Sequence, residues 1–251
     1  MRETPDKTRT VKLIVQYDGT NYQGWQVQPW GPTIQGELTK VISMIDQRPV
    51  TIHGAGRTDS GVHAEGQVAS FSLARDFEPW ELRDAINGNL ERDIRVTSVE
   101  FLDNDFHARV WAKRKTYRYA IWTGEVVSPF RHRYVFHNRS PLDVEQMRAA
   151  AKALIGTHDF IAFAGGQMDS DNTLRTVYSL DVERHPNLIT IKACGNGFLK
   201  YMVRTIAGTL IEVGRGRRTA ASIADVLRSR DRGQAGQTAP AAGLTLVQVD
   251  Y

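Results

Sequence analysis

The sequence predicts an α+β protein made of two ferredoxin-like halves, each with strands and helices in the order β-α-β-β-α-β and a mainly antiparallel sheet. Strand-like and helix-like hydrophobic patterns follow that order once, and the order begins again at Lys115. The chain has 251 residues, of which 41% are hydrophobic, enough for two cores. We therefore predict two domains, 1–108 and 109–251, with a central substrate cleft between the uncovered sheet faces.

The first half contains four predicted strands and two predicted helices. Residues 11–17 alternate apolar and polar side chains, which is typical of a strand. Pro32 begins a segment whose apolar residues have helical spacing, namely Ile34, Leu38, Val41, Ile42 and Ile45. The other predicted elements are strands at 50–53 and 67–73, a helix that begins at Pro79, and a strand at 95–102.

The second half contains four further predicted strands and three predicted helices. Its predicted strands are 115–122, 174–184, 188–194 and 244–249. Its predicted helices are 143–155, 198–213 and 220–229.

Three long segments between these elements are predicted to be loops. Residues 18–32 and 123–142 are rich in Gly, Pro and aromatic side chains and are too long for simple turns, so we expect them to contact substrate. Residues 229–243 are polar and glycine-rich, which predicts a flexible or partly ordered loop, to which we assign no chemistry.

Composition limits the class of protein. We expect a cytoplasmic address, because the sequence shows no signal-peptide pattern and no apolar run of the roughly 20 residues that span a bilayer. The single cysteine, Cys194, cannot form an intrachain disulfide or anchor a thiolate zinc site, so we expect a small apolar side chain within a strand. A net charge of +4 does not by itself indicate a nucleic-acid partner.

Basic residues are concentrated in three segments, 107–118, 131–139 and 200–232. Aromatic residues lie among them, namely Trp111, Tyr117, Tyr119, Trp122 and Tyr201. Basic groups neutralise phosphates and aromatic rings stack on unpaired bases, so the pattern suits an RNA-binding surface. A solvated surface with ordinary core aromatics explains the same pattern equally well.

The segment 54–64 is the strongest candidate for a catalytic loop. It places three glycines around Arg57 and Asp59, between two predicted strands. Glycines permit a tight loop that holds a carboxylate in a fixed orientation. An Asx turn, in which Asp59 bonds its own backbone, is the more common use of an Asp beside Thr, Ser and Gly. The spacing alone leaves both interpretations open.

Several separate segments of this chain resemble the TruA family of pseudouridine synthases. The sequence GRTDSGVHA at 56–64 matches the family signature, and five more segments follow in the family's order. These are YDGTNYQGWQVQP at 17–29, KRKTYRY at 113–119, GTHDFIAF at 156–163, GFLKYMVRTIAGTLIEVGRG at 197–216 and APAAGLTLVQVDY at 239–251.

The resemblance implies that the protein isomerises uridine to pseudouridine in tRNA without a cofactor. The base is detached from its ribose, turned, and rejoined through carbon. No cofactor motif is recognisable, because the sequence contains neither a P-loop, a dinucleotide fingerprint on a strand-to-helix turn, nor convincing metal-ligand spacing. The two halves are then RRM-like as well as ferredoxin-like, around a central RNA-binding cleft. For bacterial members the substrate is the anticodon stem-loop, at positions 38, 39 and 40, and the enzyme is a homodimer.

By position in these segments, Asp59 matches the family's catalytic aspartate, which either bonds covalently to the nucleotide or abstracts a ribose proton. Arg204 matches the basic residue that pairs with it, with an exposed phosphate contact as the alternative. Tyr117 matches the tyrosine that stacks on the target uracil, although a strand-core tyrosine is an ordinary alternative. Arg57 matches the arginine that fills the space of the flipped nucleotide, and its alternative is a loop salt bridge.

Three histidines raise the alternative of a metal site or a His-Asp dyad. His53 and His63 flank the 54–64 loop, and His158 precedes Asp159. No third ligand or nucleophile stands at matching spacing, so we interpret these histidines as structural or RNA-facing.

Two other classes of function compete with the synthase. A non-catalytic RNA-binding or chaperone module on the same fold is one, against which the presence of Asp59, Arg204 and Tyr117 argues. A glycosidase or nucleosidase is the other, but such enzymes generally use two carboxylates and the loop offers one. We also expect Arg215 and Arg217 to contact phosphates of the RNA.

Overall fold

The structure, a computed structural model, describes residues 8–166 and 172–251. The chain divides into two compact units: unit 1 contains residues 1–112 together with Tyr251, and unit 2 contains residues 113–250. The predicted domain ranges of 1–108 and 109–251 stay a prediction, and residues 1–7 of the first lie outside the described residues.

Unit 1 is a four-stranded antiparallel sheet with two helices. Its elements are β1 (Arg9–Tyr17), α1 (Ile34–Asp46), β2 (His53–Gly54), β3 (His63–Leu73), α2 (Pro79–Asn89) and β4 (Ile94–Leu102). The strands lie in the order β4-β1-β3-β2, and each neighbouring pair is antiparallel. This is the ferredoxin-like arrangement that the sequence predicts.

Unit 2 repeats that arrangement with additions. Its elements are β5 (Arg114–Trp122), β6 (Phe136–His137), α3 (Val144–Lys152), β7 (Gly156–Asp159), β8 (Leu174–His185), β9 (Leu188–Gly195), α4 (Met202–Gly214), α5 (Ser222–Ser229) and β10 (Leu244–Asp250). The antiparallel order is β10-β5-β9-β8-β7, and β6 pairs with β5 in parallel. If β5, β8, β9 and β10 are numbered one to four, their order is that of unit 1. The α+β class with mainly antiparallel sheets is therefore confirmed.

Side-chain caps and buried stripes explain where the helices begin and how they pack. Thr33 caps α1 by accepting a hydrogen bond from the Gly36 amide, and Asp143 caps α3 in the same way through Gln146. Glu78 and Glu81 form a capping box at α2, with Pro79 at the first helical position. All five apolar residues predicted at helical spacing in α1 are buried.

Five predictions of local structure need correction. The strand predicted at 50–53 is the two-residue β2 at His53–Gly54, and the helix predicted at 143–155 ends at Lys152. The helix predicted from residue 198 begins at Met202, because Tyr201 has φ of 63° and cannot continue a right-handed helix. The segment 123–142 was predicted to be a loop but contains β6, and the strand β7 was not predicted either. Cys194 lies in β9 as predicted and is half-buried.

Candidate active site

The loop that carries Asp59 spans residues 55–62, between β2 and β3 of unit 1. The Val62 amide donates to the Asp59 carbonyl at 3.1 Å, closing a tight turn. Gly61, the third residue of this turn, has φ of 75°, as a type II turn requires. Gly61 therefore accounts for the reversal of the chain at Asp59.

The beginning of this loop is anchored to β3. The Ala55 amide donates to the Val68 carbonyl at 2.7 Å. The buried side chain of Gln67 donates through Nε2 to the Gly56 carbonyl at 2.8 Å. Because both bonds involve backbone groups of the loop, they fix its path regardless of its side chains.

Residues 18–25 support the loop from the other side. The Trp25 amide donates to the Thr58 carbonyl at 3.0 Å, and the buried hydroxyls of Tyr17 and Thr58 are hydrogen-bonded at 2.8 Å. Burial raises the pKa of the Tyr17 phenol well above its usual range, so that the hydroxyl stays protonated. The first part of the segment predicted to contact substrate thus supports the Asp59 loop, whereas Trp30, farther along, is 83% exposed.

Gly24 makes the closest approach to the loop. A Cβ at this position would lie 2.4 Å from the Thr58 carbonyl oxygen and 3.0 Å from the Asp59 carbonyl carbon. Its φ of 87° is also strained for any other residue. Only glycine allows residues 18–25 to lie this close to Asp59.

The two predicted site residues of this loop differ in their exposure to solvent. Asp59 is half-buried, whereas Arg57 is exposed. Thr58 between them is buried. The loop therefore leaves Arg57 accessible to solvent and shields Asp59 in part.

Tyr117 lies on β5 of unit 2, opposite Ala193 of β9 and Leu246 of β10. Only 7% of its surface is exposed, and its ring meets that of Phe198 at right angles with centroids 5.3 Å apart. Phe198 belongs to the segment that leads into α4. Tyr117 is therefore positioned by the sheet and by the segment that carries Arg204.

Arg204 lies in the first turn of α4 and is half-buried. Its Nε donates to the Ala239 carbonyl at 2.8 Å, and its own carbonyl accepts from the Ala239 amide at 3.1 Å. Its guanidinium lies 5.2 Å from the centre of the Tyr201 ring, within cation–π range. Two contacts of different kinds thus orient the guanidinium.

Tyr201, whose ring contacts Arg204, has a strained backbone conformation. It precedes α4 with φ of 63° and ψ of −3°, a left-handed conformation that bulky residues seldom adopt. Its ring is close to two cations, because the Lys200 ammonium is 5.3 Å from its centre and the Arg204 guanidinium 5.2 Å. Backbone strain of this kind is concentrated at functional sites.

The structure groups the predicted residues by unit. Arg57 and Asp59 share one loop of unit 1, and the Phe198–Tyr201 segment links Tyr117 to Arg204 in unit 2. Phe198 and Ala239 were not predicted to take part. Both residues lie in family-like segments, at 197–216 and 239–251, but nothing in the sequence indicated that Ala239 binds Arg204.

The loop predicted at 229–243, to which no chemistry was assigned, is partly ordered. It contains single 3₁₀ turns at Arg232–Gln234 and Ala241–Gly243, and the Gly236 amide donates to the Thr209 hydroxyl of α4 at 2.9 Å. The loop supplies the carbonyl that binds Arg204. It therefore supports the candidate site.

The histidines occupy structural positions. His63 is buried and accepts from the Gly19 amide at 3.1 Å, and His53 stacks on His107 with ring centres 4.4 Å apart. Burial and the nearby charge of His107 lower the pKa of His53. His158 contacts the Ile155 carbonyl at 3.0 Å.

Asp159 does not form a dyad with His158. Burial would raise its pKa, but hydrogen bonds from Thr173 and the Ile161 amide, with the charge of Arg230, lower it. Across residues 8–166 and 172–251, no group of three or more His, Cys, Asp and Glu side chains is placed to hold a metal ion. Within the same residues, no helix is both long and apolar enough to cross a membrane.

Comparisons with known proteins point to one family. A family model described as tRNA pseudouridine synthase matches residues 13–109 and 150–251. A tRNA pseudouridine synthase A of Brevibacillus brevis is 42% identical over 97% of this chain and 100% of its own length. One from a Thermoanaerobacter species is 43% identical with the same coverage, and one from Limosilactobacillus reuteri is 41% identical over 96% of both chains.

A solved structure shows a much weaker likeness. The crystal structure of the archaeal box H/ACA sRNP Nop10-Cbf5 complex is 12% identical and covers 80% of this chain and 43% of that chain. Its TM-score is 0.35, too low to bear on the fold or the function.

Proposed function

Because the chain belongs to the tRNA pseudouridine synthase family, we propose that it converts uridine to pseudouridine in the anticodon stem-loop of tRNAs, at positions 38, 39 and/or 40. Family membership makes it an isomerase that acts on tRNA. In the reaction the bond from ribose to a base nitrogen breaks, and a bond from ribose to a base carbon forms. That carbon loses a proton and the nitrogen gains one, so the conversion is an intramolecular transfer without net oxidation.

The observation that supports this proposal best is the rigid, half-buried placement of Asp59. Its loop is fixed by backbone hydrogen bonds at Ala55, Gly56 and Thr58 and by the close approach of Gly24. A carboxylate held in this way is oriented before the substrate binds, which lowers the entropic cost of reaction. Asp59 is the catalytic residue, acting either as a nucleophile or as a base toward the ribose.

Three further residues bind the substrate in this proposal. Arg204 is assigned here as the basic residue that pairs with the catalytic aspartate during the reaction. Tyr117 stacks on the uracil, since an aromatic face supports a base that must turn without being held in one orientation. Arg57, which is exposed, enters the space that the flipped nucleotide leaves.

The proposal includes the state of the protein in the cell. The enzyme is a cytoplasmic homodimer that uses no cofactor. In a dimer, one subunit holds the body of the tRNA while the other acts on the anticodon stem-loop.

The experiment incubates the purified protein with unmodified tRNA, without added metal or nucleotide. Pseudouridine is then mapped by carbodiimide modification and primer-extension stops, with Asp59→Ala as the inactive variant and Asp84→Asn, an exposed carboxylate of α2, as the matched control. Stops at positions 38–40 that depend on Asp59 would establish both activity and substrate. Tight tRNA binding without any stop would favour the RNA-binding module instead, and release of free uracil would favour a nucleosidase.

A further inference from the structure

Two adjoining surface pockets of unit 2 are lined by basic side chains. One, of about 590 Å³, includes Arg139, Arg184 and His185 in its lining. The other, of about 860 Å³, includes Arg215, Arg217 and Arg218. Residues 140–142 line both pockets, so the two form one continuous surface. We call these six basic residues the basic strip.

The cations of the strip fall into two groups. Arg215 donates through Nε to the Asn138 side chain at 3.2 Å, and Arg218 donates to Glu212 at 2.7 Å, so both have structural partners. Arg139, Arg184 and Arg217 are exposed and, within the part of the chain that the structure describes, their side chains donate no hydrogen bond. The charge of Arg217 also acts on Glu212, but its guanidinium, like those of Arg139 and Arg184, is open to an external anion.

The acidic residues of this surface are largely engaged within the protein. Asp143 accepts the capping bond of α3 from the Gln146 amide, and Glu212 accepts from Arg218 and the Gln237 amide. Glu183 lies 3.5 Å from His185. Arginine side chains outnumber these carboxylates, so the strip has a positive charge that suits a polyanion.

The strip lies at a fixed distance from Tyr117 and Arg204, the candidate site residues of its unit. Tyr117 is five residues from Trp122 along β5, a distance of about 17 Å at the usual rise of a strand. Arg204 is eleven residues from Arg215 along α4, again about 17 Å at the rise of a helix. Both elements therefore run from the candidate site at one end to the strip at the other.

We propose that the basic strip binds the phosphate backbone of a helical part of the tRNA, about 17 Å from Tyr117 and Arg204 as measured along β5 and α4. This inference rests on the proposed function. Helical RNA is recognised mainly through its backbone, and arginine forks match phosphate oxygens in geometry and charge. The strip contributes affinity and register, whereas the chemistry takes place at the other end of β5 and α4.

The test removes one unengaged arginine from each pocket. Arg184→Ala combined with Arg217→Ala is compared with Lys40→Ala combined with Lys152→Ala, which removes two exposed lysines from α1 and α3. The Kd for full-length unmodified tRNA is measured between 50 and 200 mM salt, and single-turnover pseudouridine formation is measured at saturating enzyme. Both substituted arginines are exposed, and a melting curve of each variant establishes that it is folded.

We expect the arginine variant to bind tRNA at least about tenfold more weakly at low salt, with a salt slope smaller by about two, because two phosphate contacts are lost. Its saturating rate should equal that of the wild type, and the lysine variant should match the wild type throughout. If the wild type makes pseudouridine but the arginine variant has an unchanged Kd and salt slope, the proposed role of the basic strip is wrong and the proposed function stands. A reduced saturating rate would also overturn the proposed role of the strip. If the wild type binds tRNA through the strip but makes no pseudouridine, the proposed function fails and the strip stands.

Discussion

The Asp59 loop of unit 1 and the Arg204 segment of unit 2 are held by different kinds of contact. Backbone hydrogen bonds and the close approach of Gly24 fix most of the loop, with added bonds from the Gln67 and Tyr17 side chains, so its shape depends mainly on main-chain atoms. The Ala239 carbonyl and the Tyr201 ring orient Arg204, so its position depends in part on a side chain that has chemical alternatives. We conclude that the loop tolerates little change, whereas the Arg204 segment tolerates conservative substitution.

The largest effect is expected at the carboxylate itself. Asp59→Asn removes the charge with little change in volume, so turnover should fall by at least about a thousandfold while tRNA binding stays near that of the wild type. Single-turnover assays and filter binding measure the two quantities. Activity within tenfold of the wild type would mean that Asp59 is not the catalytic residue.

A methyl group on the supporting segment should displace the loop. Gly24→Ala puts a Cβ against the Thr58 carbonyl and forces alanine into a left-handed conformation. We expect a loss of about 2 kcal/mol or more in the free energy of unfolding, and turnover lower by roughly a hundredfold because the carboxylate moves. Denaturant melts and kcat measure these effects.

The matched control for Gly24 is Gly88 in α2, where an added Cβ meets nothing within 4 Å. Gly88→Ala should leave turnover unchanged and raise the free energy of unfolding by about 0.5 kcal/mol, since alanine favours a helix. Equal effects of the two substitutions would show that the close approach at Gly24 is unimportant.

Two substitutions at Tyr201 distinguish the effect of its ring from the effect of its backbone strain. Tyr201→Leu keeps a Cβ at the left-handed position but removes the ring, so kcat should fall about tenfold as Arg204 loses its cation–π partner. Tyr201→Phe keeps the ring and should retain kcat within about twofold. Because the ring acts on Arg204 and not on RNA affinity, KM should change less than kcat. Equal kcat values for the two variants would rule out the ring as a positioning group.

The smallest effect concerns acid stability in unit 2. Burial would raise the pKa of Glu212, but hydrogen bonds from Arg218 and the Gln237 amide, with the charges of Arg218 and Arg217, lower it below its ordinary value of 4.5. A lowered carboxyl pKa stabilises the fold above the ordinary value, and this stabilisation is lost as pH falls through the folded-state pKa. Glu212→Gln should therefore flatten the fall in melting temperature below pH 4.5. The same fall in wild type and variant would contradict this role.

Hydrophobic spacing predicted the elements that have long, regular patterns. The apolar residues of α1 are buried as predicted, and β5 differs from its predicted range only at Arg114. β2 was misplaced because Val50 and Ile52 are buried without joining the ladder. The start of α4 was misplaced because the conformation of Tyr201 depends on packing that a local pattern does not encode.

The site was predictable only in part for the same reason. The loop around Asp59 has a distinctive sequence, and family-like segments identified Arg57, Tyr117 and Arg204 as candidates. Their supports come from distant parts of the chain: Gly24 is 35 residues from Asp59, and Ala239 is 35 residues from Arg204. Such pairings are set by strand order and tertiary packing, which one sequence does not reveal.

The burial of α4 has a consequence for its motion. Eleven of its thirteen residues are buried, and a Cβ added at Gly208 would lie 1.7 Å from the Gln237 carbonyl oxygen. Helices packed this closely do not open locally, so their amides exchange with solvent only when the whole unit unfolds. The amide protons in the middle of α4 should therefore be among the slowest to exchange in unit 2. We therefore expect the distance between Arg204 and the arginines that follow α4 to stay constant during turnover.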